Sequence, residues 1–268
     1  MIGQPWAIFA VACLLATLLA GPALGQQILF VNGGDDDVHE AVQSSNGTSV
    51  AGRALSAALN RFGVTLDEAP DARAIDAEQL KKHRLLVLAG NGGGADKDAL
   101  SSDVIDVLLA WVERGGVLFV YHSGIDIQAC GRSRDEYARV IGAKATAHGL
   151  LGQGLIRVVD AMHPATRSML MESEVEDRFY TYTDLEADAI HVLATVRVGD
   201  DAAYPIIWCR HYGKGKVYYN GLGCTASVWA DERFLRGFWD AVKWAVERSP
   251  LPKAQTEPNL EKALIKGN

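Results

Sequence analysis

His122 closes the apolar run Val117-Leu118-Phe119-Val120-Tyr121 and is followed directly by Ser123 and Gly124. In an α/β sheet, ligands bind at the carboxyl ends of the strands. A reactive residue at such a place needs a tight strand-to-helix turn with a small residue just after it. The tip here carries an imidazole, which suits acid/base work near neutral pH or metal ligation. It does not replace the thiolate that amide hydrolysis would use. Tyr180 adds a phenol donor, and Ser123 a hydroxyl beside the tip. His148 and His163 are the further nitrogen donors. With His122 they supply the three protein ligands of a catalytic divalent metal, or a hydrogen-bonding cluster around a sugar. Such an ion would polarise a ketone or stabilise an enediolate. The plainer reading keeps them as separate structural histidines, because their spacings are too long to fix a geometry.

Two loops carry further candidates. Asp35, Asp36, Asp37 and His39 follow the first strand-like run. They read as a solvated loop or as groups that bind sugar hydroxyls, with Asp35 and His39 the substrate-binding candidates. Gly90-Asn91-Gly92-Gly93-Gly94-Ala95 fits the dinucleotide pattern G-x-G-x-x-A in form. It does not follow the first strand, and no persuasive acid closes a later one, so no nucleotide cofactor is expected. Cys130, Cys209 and Cys224 match no common zinc spacing. Trp208 and Trp229 are read as core or as stacking faces for a sugar.

The elements that must position these groups alternate. Ile28 to Val31, Val64 to Leu66, Leu85 to Leu88 and Val117 to Tyr121 read as strands. Val50 to Phe62 and a segment from an N-cap at Ser102 to Glu113 have helical periodicity between them. This order means βαβ units and a parallel sheet. The second half is strand-rich: Leu155 to Val159, Phe179 to Tyr182, His191 to Val196, Pro205 to Trp208 and Lys216 to Tyr219. Tyr212-Gly213-Lys214-Gly215 turns the last two into a hairpin, which adds antiparallel strands. Phe234 to Val246 forms the closing helix. Residues 1–25 read as a secretory signal, with an apolar core from Ile8 to Ala20, and 26–249 as one α/β domain. Residues 250–268 read as a surface tail, partly ordered at best. Export to the periplasm or exterior follows, with membrane anchoring as the alternative. The net charge of −7 argues against nucleic-acid binding, and a homo-oligomer is left open.

Several of these segments, in this order, resemble the ThuA-like (trehalose-utilisation) family of the class I glutamine amidotransferase-like superfamily. They are the early Gly-Gly loop with His39, Gly115-Gly116-Val117 into Tyr121-His122-Ser123-Gly124, and His163-Pro164. Asp177-Arg178-Phe179-Tyr180 is similar to the family's acidic-x-x-Tyr stretch, followed by Pro205 to Arg210, Gly213 to Val217 and Gly221-Leu222-Gly223. The resemblance implies a flavodoxin-like three-layer α/β sandwich and backbone N–H groups of Gly92 and Gly93 lining the pocket. It also implies carbohydrate catabolism, with oxidised (3-keto) sugars as the substrate class. Two positions depart from the family's pattern: Cys224 stands where a His is common, and Arg178 where a second acid is common. The expected chemistry is proton transfer beside a carbonyl, giving isomerisation or elimination, with His122 and Tyr180 as catalytic residues. The alternatives are a non-catalytic sugar-binding or scaffold domain, a cysteine hydrolase using Cys130, Cys209 or Cys224, and, more distantly, a nicotinamide-dependent reductase.

Overall fold

The computed structural model describes residues 28–32, 41–45, 48–90, 100–126, 132–247 and 257–267. Asp35, His39, Gly92, Gly93, Cys130 and the leader-like segment 1–25 lie outside them. Among the described residues no helix is long and apolar enough to cross a membrane.

The strands in chain order are β1 Ile28–Val31, β2 Ser44–Ser45, β3 Thr48–Ser49, β4 Leu66–Ala69, β5 Leu85–Leu88, β6 Val117–Tyr121 and β7 Lys144–His148. They continue as β8 Gly152–Val158, β9 Glu172–Asp177, β10 Tyr180–Thr183, β11 His191–Val198, β12 Tyr204–Tyr212 and β13 Gly215–Asn220. The helices are α1 Val50–Asn60, α2 Ala77–Lys82, α3 Ser102–Glu113, α4 Arg132–Ile141, α5 Ala226–Ala230, α6 Glu232–Val246 and α7 Leu260–Gly267. One sheet carries nine strands in the order β4-β1-β5-β6-β13-β12-β11-β8-β9. The pairings from β4 through β13 are parallel, and those from β13 outward to β9 are antiparallel. β7 and β10 form a separate two-stranded ribbon.

Alternation along the strands builds two cores. In β6, Val117, Phe119 and Tyr121 face the side packed by α1, α5 and α6, while Leu118 and Val120 face the side packed by α2, α3, α4 and α7. Both faces of the central strands are covered, so their sequences read as continuous apolar runs. This is the three-layer, flavodoxin-like sandwich with antiparallel additions in the second half.

Three local expectations shift. The second strand begins at Leu66, not Val64, and its four residues Leu-Asp-Glu-Ala alternate because it is an edge. The cap of α3 is Ser101, whose hydroxyl accepts from the Val104 N–H. The C-terminal region is more than a surface tail: α7 packs on β11, with Ala263 fully buried. Asn259 holds it there, pairing both backbone groups of Val192 with its amide at 2.6 and 2.9 Å.

Candidate functional site

Four chain segments meet at the carboxyl end of β6. His122 leaves the strand with φ 41°, inside the left-handed region, and starts the 3₁₀ turn His122–Ile125. Few non-glycine residues stand there, and such strain collects at functional turns. The turn is pinned from three sides. Tyr137 donates its hydroxyl to the Gly124 carbonyl at 2.6 Å. Ser123 donates to the Ala89 carbonyl at 3.3 Å. Gly124 lies so close to β5 that a Cβ would sit 2.4 Å from the Leu88 carbonyl oxygen. The Ser123 hydroxyl therefore ties the turn to the end of β5.

The His122 ring is buried, and its Nε2 lies 2.9 Å from the Arg178 carbonyl oxygen. A carbonyl only accepts, so Nε2 carries the proton, and Nδ1 is the basic nitrogen of the neutral ring. Tyr180 meets this ring edge-on, with centroids 4.9 Å apart. His148 faces Tyr180 at 5.3 Å because the two are directly opposed residues of the β7–β10 ribbon. The His122 and His148 rings are 6.5 Å apart. Asp126, just past the turn, has its carboxyl pushed up by burial, while the charges of Arg134 and His148 pull it back.

The loop after β13 supplies the fourth segment. Gly223 takes φ 127°, a backbone region closed to most side chains, and its N–H donates to Asp177 Oδ2 at 2.7 Å. Cys224 N–H and Arg178 N–H donate to Asp177 Oδ1 at 3.1 and 2.9 Å. Trp229 closes the loop from below by donating to the Gly223 carbonyl at 2.9 Å. Burial pushes the Asp177 carboxyl up to about 6, against the lowering effect of these N–H groups. Its protonation therefore changes near neutral pH. Cys224 is held beside it, and one donor atom each from His122, Asp177 and Cys224 falls within 4.8 Å of the other two.

The geometry joins His122, His148 and Tyr180 as expected, and does not bring His163 to them. His163 caps the 3₁₀ turn Pro164–Thr166, its Nδ1 accepting the Ala165 N–H at 3.1 Å. Pro164 fixes that turn against α6, where His163 packs on Trp244 at 5.2 Å and on Cys209, whose Sγ is 3.7 Å from Nε2. Among the described residues, the His, Cys and acidic side chains whose donor atoms converge are His122, Asp177 and Cys224. The last two were visible only as parts of motifs, and the signal for them is convergence: acidic-x-x-Tyr and Gly-Leu-Gly-Cys both end at His122. Trp208 and Trp229 are fully buried core residues. The segment with Asp35 and His39 is outside the described residues, but its flanks are not. Asn32 directly follows β1, and Ala41 N–H donates to the Cys224 carbonyl at 3.4 Å.

Comparison with known proteins places this arrangement. The pattern of the ThuA family, described as trehalose utilisation, matches residues 27–245. Among curated proteins, none matches in sequence. A protein described as ThuA-like from Bacteroides uniformis ATCC 8492 superposes with TM-score 0.62 at 14% identity, over 87% of this chain and 95% of its own. Another from Parabacteroides merdae ATCC 43184 gives 0.60 at 15%, over 90% and 99%. A β-galactosidase from Bacillus circulans gives 0.52 at 14%, over 83% of this chain and 31% of the enzyme. These likenesses are of fold. The sequence match over most of the chain decides the family, and the chain belongs to the ThuA, trehalose utilisation, family.

Proposed function

We propose that this protein acts on a keto-sugar derivative by proton transfer at the His122 corner. One observation carries the reading: the Arg178 carbonyl fixes the proton of His122 on Nε2, so Nδ1 is the ring's basic nitrogen. An imidazole held in one tautomer, beside a phenol and a second imidazole, suits removal of a weakly acidic C–H proton. The family's carbohydrate link supplies the substrate class.

In the proposed step, His122 Nδ1 takes the proton from the carbon next to the ketone. The C–H pair becomes a carbon–carbon double bond, and the carbonyl π pair moves to oxygen, where the Tyr180 phenol donates. Return of that C–H proton to the former carbonyl carbon, while the hydroxyl on the neighbouring carbon gives its proton to the Tyr180 phenolate and its O–H pair forms the new carbonyl, gives the isomer. Alternatively, the enol returns its proton to the Tyr180 phenolate and the carbonyl re-forms, the carbon–carbon π pair shifts to the next bond, and the β-substituent leaves with its bonding pair and is protonated by the imidazolium, giving elimination. Asp177 positions the loop that closes this corner, and His148 extends the polar wall on the Tyr180 side. We further propose that residues 1–25 direct export, with the domain working outside the cytoplasm.

Cys224 beside His122 favours one second reading, a thiol nucleophile with its His oriented by a backbone carbonyl. A single comparison separates the two. Keto-disaccharide conversion is followed by product analysis before and after thiol alkylation, and in Cys224→Ser. Activity that survives both supports proton transfer. Activity lost in both, with a trapped acyl or glycosyl adduct on Cys224, overturns it.

A further inference from the structure

We infer that His122, Asp177 and Cys224 form a binding site for a soft divalent cation of the zinc class, and that this ion competes with the proton His122 would move. Among the described residues, this is the set of His, Cys and acidic side chains whose donor atoms converge within 4.8 Å. All three side chains are buried. Binding does not depend on the keto-sugar reading; only its consequence for turnover rests on that reading.

The surroundings are those of prepared ligands. A metal-bound His characteristically donates its other ring N–H to a carbonyl or carboxylate, which fixes the ring and raises its basicity. His122 does this with the Arg178 carbonyl at 2.9 Å, leaving Nδ1 as the donor atom. Ligating carboxylates are themselves hydrogen-bonded. Asp177 takes two N–H groups on Oδ1 and one, from Gly223, on Oδ2, and the Thr225 N–H also bonds to the carboxylate. The Gly223 turn and its Trp229 anchor hold Cys224 on the same side.

Charge and softness select the ion. As it binds, the Cys224 thiol releases its proton to solvent and the sulfur pair forms the metal–sulfur bond. One thiolate, one carboxylate and one neutral imidazole around a divalent cation sum to zero charge, the state a buried site can hold. A thiolate prefers zinc or cadmium to magnesium or calcium, which take oxygen donors. Three protein ligands leave the fourth tetrahedral position for water or substrate. One nitrogen cannot hold both the ion and a substrate proton, so the loaded protein is inactive in proton transfer.

The test uses the full chain, stripped with a chelator and titrated with cadmium while thiolate-to-cadmium charge transfer is followed in the ultraviolet. The expected result is one ion per chain and a thiolate band that Cys209→Ala and Cys130→Ala retain. Cys224→Ser should lose the band, and affinity should fall by more than the roughly 10–100-fold that an outer-shell partner is worth. His122→Asn, chosen as a second ligand variant, should weaken binding similarly, and circular dichroism confirms that each variant is folded. Absence of the band in wild type, or its persistence in folded Cys224→Ser, overturns the site. Zinc should abolish keto-sugar turnover and chelator restore it. If the stripped protein is inactive while the Cys224-dependent band forms, the proton-transfer reading fails and the metal site stands.

Discussion

Two sets of His, Cys and Asp among the described residues differ in what surrounds them. The set at the end of β6 is His122, Asp177 and Cys224. The set beneath α6 is His163, His191, Asp160 and Cys209. In the second set every ring nitrogen has a partner that holds the fold. His163 accepts from the Ala165 N–H and faces Cys209 Sγ at 3.7 Å. His191 faces Asp160 Oδ2 at 2.8 Å and the Glu257 carbonyl at 2.6 Å, tying the C-terminal segment to β11. Burial, then the nearby His191, pushes His163 down to about 3, and burial pushes the Cys209 thiol well up. Both stay neutral at physiological pH and serve packing. At the β6 end, backbone groups hold the side chains from behind, through the Arg178 carbonyl on His122 and the N–H groups of Arg178, Gly223, Cys224 and Thr225 on Asp177, and one donor atom from each of His122, Asp177 and Cys224 lies within 4.8 Å of the other two. Residue type is the same in both sets. One set stands at a strained strand end, the other inside the layers.

The largest expected break in this contrast is catalytic. His122→Ala should lower keto-sugar turnover by about 10²–10⁴-fold, the usual worth of a general acid/base. His163→Gln should leave turnover per folded molecule near wild type, checked by steady-state assay corrected for folded fraction.

Stability should separate the two sets with opposite signs. His163 binds its proton near 6.5 unfolded and near 3 folded. Its stabilising contribution is therefore complete above 6.5 and lost as pH falls toward 3. The stability gap between wild type and His163→Gln in urea should shrink by several kcal/mol over that window. Asp177 moves the other way, from 3.8 to about 6. Its contribution is complete below 3.8 and declines as pH rises through 6. The gap between wild type and Asp177→Asn should thus be largest near pH 4 and shrink by about 3 kcal/mol by pH 7.

Smaller effects test the supports. Gly223→Ala should cost about 1–3 kcal/mol through its φ of 127°, and it should also reduce activity because the Gly223 N–H ties the loop that closes the His122 corner to Asp177. Asn259→Ala should cost about 1 kcal/mol for lost hydrogen bonds. It should raise hydrogen exchange at Val192 while leaving turnover unchanged.

Much of the scaffold was legible because apolar runs are unambiguous when both faces are buried. Leu85–Leu88 and Val117–Tyr121 form strands over the residues read from sequence, and the Tyr212–Gly215 turn closes the hairpin between β12 and β13. Edges were harder. β9 reads Glu-Ser-Glu-Val-Glu-Asp, and its strand state comes from pairing with β8, which local pattern does not encode. α7 was missed for a related reason: the Asn259 amide, the Glu257 carbonyl on His191 and the buried Ala263 dock its segment on the sheet, contacts that local pattern does not encode. At the site, His122 was legible from the strand that ends in it and Tyr180 from its motif. Asp177 and Cys224 were not assigned because the contact joins segments nearly fifty residues apart. His163 misled because a His before Pro looks like a loop residue, yet Pro164 turns it inward.

The central claim is that His122 moves a proton next to a ketone. Solvent-deuterium incorporation at the carbon beside the carbonyl, followed by NMR on a keto-disaccharide, measures that step without assuming the final product. The stripped wild-type protein should catalyse the exchange, and folded His122→Ala should bring it to the uncatalysed rate. Exchange at the wild-type rate in His122→Ala would contradict the account.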